Sequence, residues 1–131
     1  MAFRAIRPDE LAWTTRDHGP GEPARHVAEL SERAGFAHTR ANIWRYEPGA
    51  RGRRHRHATH EETFVVLSGT LSLYLGDEQE RYDMWAGGII HVEAGTALQA
   101  ANHGEDDLVV YVYGAPPETE DEHVELLDPA V

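Results

Sequence analysis

From Thr39 onward, apolar and polar positions alternate in short runs cut by Gly, Pro, Asp or Asn, and this rhythm predicts antiparallel β-structure. The runs span 39–46, 53–58, 62–68, 70–75, 79–84, 88–93, 97–101 and 107–113. Short strands at such spacing predict a sandwich or a barrel, and a barrel is favoured because closing a sheet removes exposed edges. Upstream the pattern changes. Between Glu22 and Ala34, Pro23 suits a first helical turn, Val27, Leu30 and Ala34 recur at helical spacing, and Gly35 supplies a stop, so one short amphipathic helix is expected. Residues 1–21 are polar and broken by Pro8, Gly19, Pro20 and Gly21; they read as an irregular arm or short edge strand anchored by Trp13. The ending is acidic and carries Pro116, Pro117 and Pro129, with Val124, Leu126 and Leu127 able to dock. The expected organisation is therefore an N-terminal arm and short helix (1–38), a β-barrel (39–114) and an acidic C-terminal tail (115–131).

Composition narrows the possible functions. A chain of 131 residues with 40% hydrophobic content fits one domain with a real core. With no cysteine, disulfide frameworks, thiolate metal sites and Cys nucleophiles are all excluded. The 23 Asp and Glu residues against 12 Arg and no Lys give a formal charge of -11, which repels phosphate backbones and anionic membranes. No apolar stretch is long enough to span a bilayer, and the first residues lack the apolar run of a signal peptide. The expectation is a cytoplasmic protein whose partners include neither nucleic acid nor membrane.

The stretch from Gly49 to Gly69 carries the chemistry. His55 and His57 stand at i and i+2 on a predicted strand, so their rings share one face. Glu62, Phe64 and Val66 share a face of the next strand, and a tight turn would bring the Glu62 carboxylate opposite the two imidazoles. Two His and one carboxylate on one side of a cavity make the facial set used for non-haem Fe(II), and the same donors can hold Mn, Ni, Zn or Cu.

These residues resemble the first motif of the cupin superfamily: Gly, five residues, His-x-His, three or four residues, Glu, six residues, Gly. Gly49, His55, His57, Glu62 and Gly69 match every step. Glu61 is the rival ligand, since the family tolerates either spacing; Glu62 is preferred because it keeps six residues before Gly69. Of the second motif, Gly87, Gly95 and Asn102 fall in register, whereas Glu93 replaces a proline and Leu98 stands where the fourth ligand, a histidine, is usual. The resemblance covers 41–113. It implies an all-β, cupin-type double-stranded β-helix (jelly-roll) barrel, a divalent metal on His55, His57 and Glu62, a homodimer, and a small-molecule ligand. Oxygenase, isomerase, decarboxylase and simple binding activities all fall within what it implies. A metal-free ligand-binding barrel is the alternative, with Leu98 marking a pocket turned apolar.

Other positions bear on the ligand. His60, His91 or His103 could replace the missing fourth donor. Strand alternation puts Arg40, Asn42, Trp44 and Tyr46 on one face, and Asn42, Trp44 and Tyr46 with Phe64 and Leu98 are the expected pocket. Arg51, Arg53, Arg54 and Arg56 form a basic cluster beside the first motif, positioned either to steer a carboxylate or phosphate or to balance neighbouring acids.

Overall fold

The computed structural model describes residues 2–17, 19–117 and 124–131. The chain enters through a 3₁₀ turn (Pro8–Glu10), β1 (Trp13–Arg16) and β2 (Arg25–Glu29), followed by a single helical turn, α1 (Ser31–Ala34). The predicted runs then appear in order as β3 (Arg40–Tyr46), β4 (His55–His57), β5 (Glu61–Ser68), β6 (Thr70–Leu75), β7 (Glu80–Trp85), β8 (Ile89–Val92), β9 (Leu98–Ala101) and β10 (Leu108–Ala115). A last short strand is β11 (Val124–Leu126). They build two antiparallel sheets, one in the order β1-β2-β3-β10-β5-β8 and one in the order β11-β4-β9-β6-β7.

Period-two alternation decides which side chains are buried. On β10, Leu108, Val110 and Val112 are buried while Tyr113 between them and the loop is exposed. Val110 sits opposite Trp44 of β3 and Val66 of β5, and Val112 opposite Asn42 and Phe64. The other sheet contributes Leu71 and Leu73 from β6 and Leu98 and Ala100 from β9, so the apolar core lies between the two sheets.

The expected helix over 22–34 is corrected: residues 25–29 form a strand, and only Ser31–Ala34 are helical. β2 pairs with β1 on one side and β3 on the other, so its backbone hydrogen bonds are satisfied along both edges. Val27 and Ala28 are both buried although adjacent, which places one on each face of the sheet. A strand covered on both faces has no alternation to betray it, and Val27, Leu30 and Ala34 mimic a helical stripe. Gly35 does stop the helical turn, with φ of 72° in the left-handed region.

The C-terminal segment docks through its backbone. β11 pairs with β4, the strand of the two histidines, while Val124 and Leu126 stay exposed. Beyond it, Gln99 Oε1 accepts from the Ala130 and Val131 N–H groups, and Arg54 donates to the Asp128 carbonyl. Of the tail, residues 118–123 lie outside the described residues. Among the described residues no helix is long and apolar enough to cross a membrane.

Asn102 shows what a buried polar side chain does here. Its Nδ2 donates to the carbonyls of Tyr46 and Asp106, and its Oδ1 accepts from the Gly104 N–H, so one fully buried amide ties two loops together. Truncation would leave buried backbone groups unpaired, each costing about 1–3 kcal/mol. Asn102→Ala is therefore expected to lose roughly 2–4 kcal/mol of unfolding free energy. Urea denaturation checks this; a loss under about 0.5 kcal/mol, the size of an ordinary surface change, would refute it.

Candidate metal and ligand site

β4 is three residues long; β11 pairs along one edge, and on the other Leu98 of β9 stands opposite His55. Its i and i+2 positions direct both imidazoles to one face, with ring centroids 4.9 Å apart. β5 begins four residues later, and its alternation sends Glu62 to the same side as Phe64 and Val66. Donor atoms of His55, His57 and Glu62 all lie within 4.8 Å of one another. The structure thus brings the three expected residues together. Glu61 points the other way, its carboxylate 3.6 Å from His91 Nε2.

The donor set fits a cation. His55 Nδ1 lies 2.9 Å from the Arg53 carbonyl oxygen, which can only accept, so Nδ1 carries the proton and Nε2 keeps its lone pair for a ligand. His57 Nε2 is 2.9 Å and His55 Nε2 3.9 Å from Glu62 Oε1. That oxygen is buried, and the imidazoles of His55 and His57 are the groups that face it. Nitrogen and oxygen donors therefore converge on a point where positive charge is missing, whether a proton or a metal ion. Burial pushes the Glu62 carboxyl up, but the neighbouring imidazoles of His55 and His57 outweigh burial and hold it at about 2. The carboxylate is ionised across the neutral range and ready to ligate.

The depressed pKa carries a stability prediction. Because the folded value lies below the ordinary 4.5, the ionised group's contribution is complete above about pH 4.5 and disappears as the pH falls towards 2. Metal-stripped wild-type protein is expected to lose more stability than Glu62→Gln between about pH 5 and about pH 3. Urea midpoints at both pH values test it, and parallel losses in the two proteins would show that Glu62 contributes nothing.

The triad opens on a cavity of about 180 Å³. Asn42, Trp44, Tyr46, Phe64 and Leu98 all line it, so the expected pocket residues are gathered in one place. Leu98 is 2% exposed, an apolar wall beside His55. His60 also lines the cavity: it is buried, its Nδ1 donates to the Pro116 carbonyl at 2.6 Å, and its Nε2 is 4.0 Å from Glu62 Oε2. Gly114 makes room for it, since a Cβ there would fall 2.3 Å from His60 Nε2. The other two candidates lie elsewhere, with His91 bonded to Thr63 and His103 to the Tyr74 hydroxyl.

The basic cluster divides. Arg53 reaches the cavity, whereas Arg54 is buried and donates to the carbonyls of Asp128 and Gly76. Arg56 faces Asp77 and Glu125, and Arg51 lies 4.0 Å from Glu22. Among the charged residues of the cavity, Arg25 on β2 and Arg40 on β3 were not among the expected pocket residues. The signal available for Arg40 was its parity with Asn42 and Trp44; Arg25 was hidden by the helical reading of its segment.

Known proteins share this fold. The family model for the cupin domain matches residues 42–114, more than half of the chain. Auxin-binding protein 1 of Arabidopsis thaliana is 34% identical over 85 residues, covering 57% of this chain and 42% of that protein, so the match spans less than half of the relative's length. A sugar phosphate isomerase from a cupin superfamily of Silicibacter pomeroyi superposes with a TM-score of 0.74 at 20% identity, covering 95% of this chain and 92% of that one. The polyketide cyclase RemF of Streptomyces resistomycificus gives 0.78 at 15% identity, covering 97% and 87%. At such identities the two structures speak for the fold alone, and it is the family model, spanning the strands that carry the triad, that makes this chain a member of the cupin family.

Proposed function

We propose that this cupin binds a divalent transition metal through His55, His57 and Glu62 and holds a small polar or anionic organic ligand in the adjoining cavity. The observation that supports this most directly is the convergence of two imidazole nitrogens and one buried carboxylate oxygen within 4.8 Å of one another. Held by these three residues, an ion of this kind, Fe, Mn, Ni, Zn or Cu, would supply polarisation of an oxygen ligand or activation of dioxygen or water. Oxygenase and isomerase chemistry are both consistent with that arrangement. The Arg53 carbonyl fixes the His55 tautomer, and the Pro116 carbonyl does the same for His60. The names of similar proteins refer to auxin binding, sugar phosphate isomerisation and polyketide cyclisation, three different tasks, so the fold does not choose among them.

Leu98 supports a second reading, a metal-free ligand-binding barrel, because a buried leucine beside His55 offers no donor. Chelator-treated protein separates the two. With Fe, Mn, Ni, Zn and Cu added in turn, about one equivalent of at least one of them should be retained, with a rise in Tm by mass action. Neither retention nor a shift with any of the five would leave the metal-free barrel.

A further inference from the structure

We infer that the cavity selects a small dianionic organic molecule, a dicarboxylate or a phosphate monoester, and that Arg25 is the residue that recognises its anionic end. This rests on the proposal that the cavity is a ligand site and goes further in naming the ligand's charge class.

Most arginines of the chain have a partner or stand in solvent, but those of the cavity differ. In this acidic chain, Arg7, Arg45, Arg51, Arg56 and Arg81 each have a carboxylate within 4.0 Å. Arg33 and the terminal nitrogens of Arg54 donate to backbone carbonyls, and Arg4 and Arg16 stand exposed on the N-terminal segment. The three arginines that line the cavity, Arg25, Arg40 and Arg53, have no carboxylate partner among the described residues. Three arginines and the single carboxylate of Glu62 line one cavity, and a bound divalent metal would add to the positive excess. A cleft lined by one sign of charge between low-dielectric walls focuses its field on an incoming counter-ion.

Arg25 is the group best held for this role. Its guanidinium lies 5.0 Å from the Trp44 ring centroid and 5.9 Å from that of Tyr46, which fixes the plane of the fork by cation–π contact. Its Nε is buried and has no hydrogen-bond acceptor among the described residues. The guanidinium is half-buried and also bonds the Tyr46 side chain, so it is held in place, and an oriented fork of this kind is matched by the paired oxygens of a carboxylate or phosphate. Arg40 and Arg53 are exposed and act at the rim, where they contribute attraction rather than a fixed fork. The size of the space restricts the guest further. At about 180 Å³ it falls below the ≈300–1,000 Å³ of pockets for drug-sized ligands, which favours a short molecule.

The test uses malonate and methyl phosphate as dianions, acetate as a monoanion and malonamide as a neutral isostere. Calorimetry is run on wild-type protein with and without metal, on His55→Ala/His57→Ala, and on Arg25→Gln and Arg25→Lys. Either dianion is expected to bind about tenfold or more tightly than acetate, with no heat from malonamide, and the better of the two identifies the anionic group. Arg25→Gln should weaken the dianion about 10- to 100-fold, and Arg25→Lys, which keeps charge but not the fork, should recover part of that loss. Binding that survives in the histidine variant but not in Arg25→Gln upholds the inference even if the metal proposal fails. Metal uptake without dianion binding, equal affinity for acetate, or an unchanged Kd in Arg25→Gln overturns the inference and leaves the metal proposal standing.

Discussion

Replacing both His55 and His57 by Ala is expected to reduce bound metal from about one equivalent to less than about a tenth, a loss of affinity of more than about 100-fold. Mutation of groups that only orient a ligand already costs about 10- to 100-fold, and here two of three direct donors go. Glu62 remains, but one carboxylate on β5 cannot hold the ion alone. The same variant has a second readout that needs no metal. In the wild-type protein burial raises the Glu62 pKa and the two imidazoles more than reverse this, to about 2. Without them burial is the effect left, so the carboxyl should titrate above its ordinary 4.5. Metal analysis gives the first result, and carboxyl ¹³C shifts followed against pH give the second. A variant that retains its metal would place the ion elsewhere. A carboxyl that still titrates near 2 would show that the imidazoles do not control Glu62.

How these residues meet was largely legible because strand chemistry is local. The His-x-His pair needs only the period of two, and Glu62 is distinguished from Glu61 by sharing parity with the buried Phe64 and Val66. The eight runs from residue 39 onward were visible through alternation and punctuation. β1 and β11 gave no such signal, since all the residues of both are exposed and their pairing is made by backbone. β2 was misread for the opposite reason, burial on both faces, and with it went Arg25. Placing Arg25 beside Trp44 and Tyr46 depends on the β2–β3 register, which pairs Arg25 with Tyr46 and Val27 with Trp44. Nothing within residues 22–34 encodes that register locally; it is set by packing across the sheet. The division of the basic cluster was likewise hidden, because the partners of Arg54 and Arg56 lie in loops and in the C-terminal segment, far along the chain.

Leu98→His is expected to raise metal affinity by about tenfold or more while lowering the stability of the metal-free protein. Leu98 is directly opposite His55 in the β4–β9 pairing, and directly paired side chains on one face have Cβ atoms about 4.5–5.5 Å apart. An imidazole at 98 would line the same cavity as His55, His57 and Glu62 and complete a four-donor set, the arrangement of closed sites. In the metal-free state that ring would replace leucine at a 2% exposed position, where an unsatisfied polar group costs about 1–3 kcal/mol. The two effects have opposite signs and are read in one pair of experiments: the Tm of chelated protein falls relative to wild type, and the rise in Tm on adding metal becomes larger. Competition with a chromogenic chelator gives the change in Kd directly. If the chelated variant is destabilised while its Kd is unchanged, a histidine at 98 does not reach the ion, and the two-histidine, one-carboxylate set has its open side elsewhere. If affinity rises, Leu98 is what keeps a fourth position free in the wild-type protein, the position through which an anion also held by Arg25 would meet the metal.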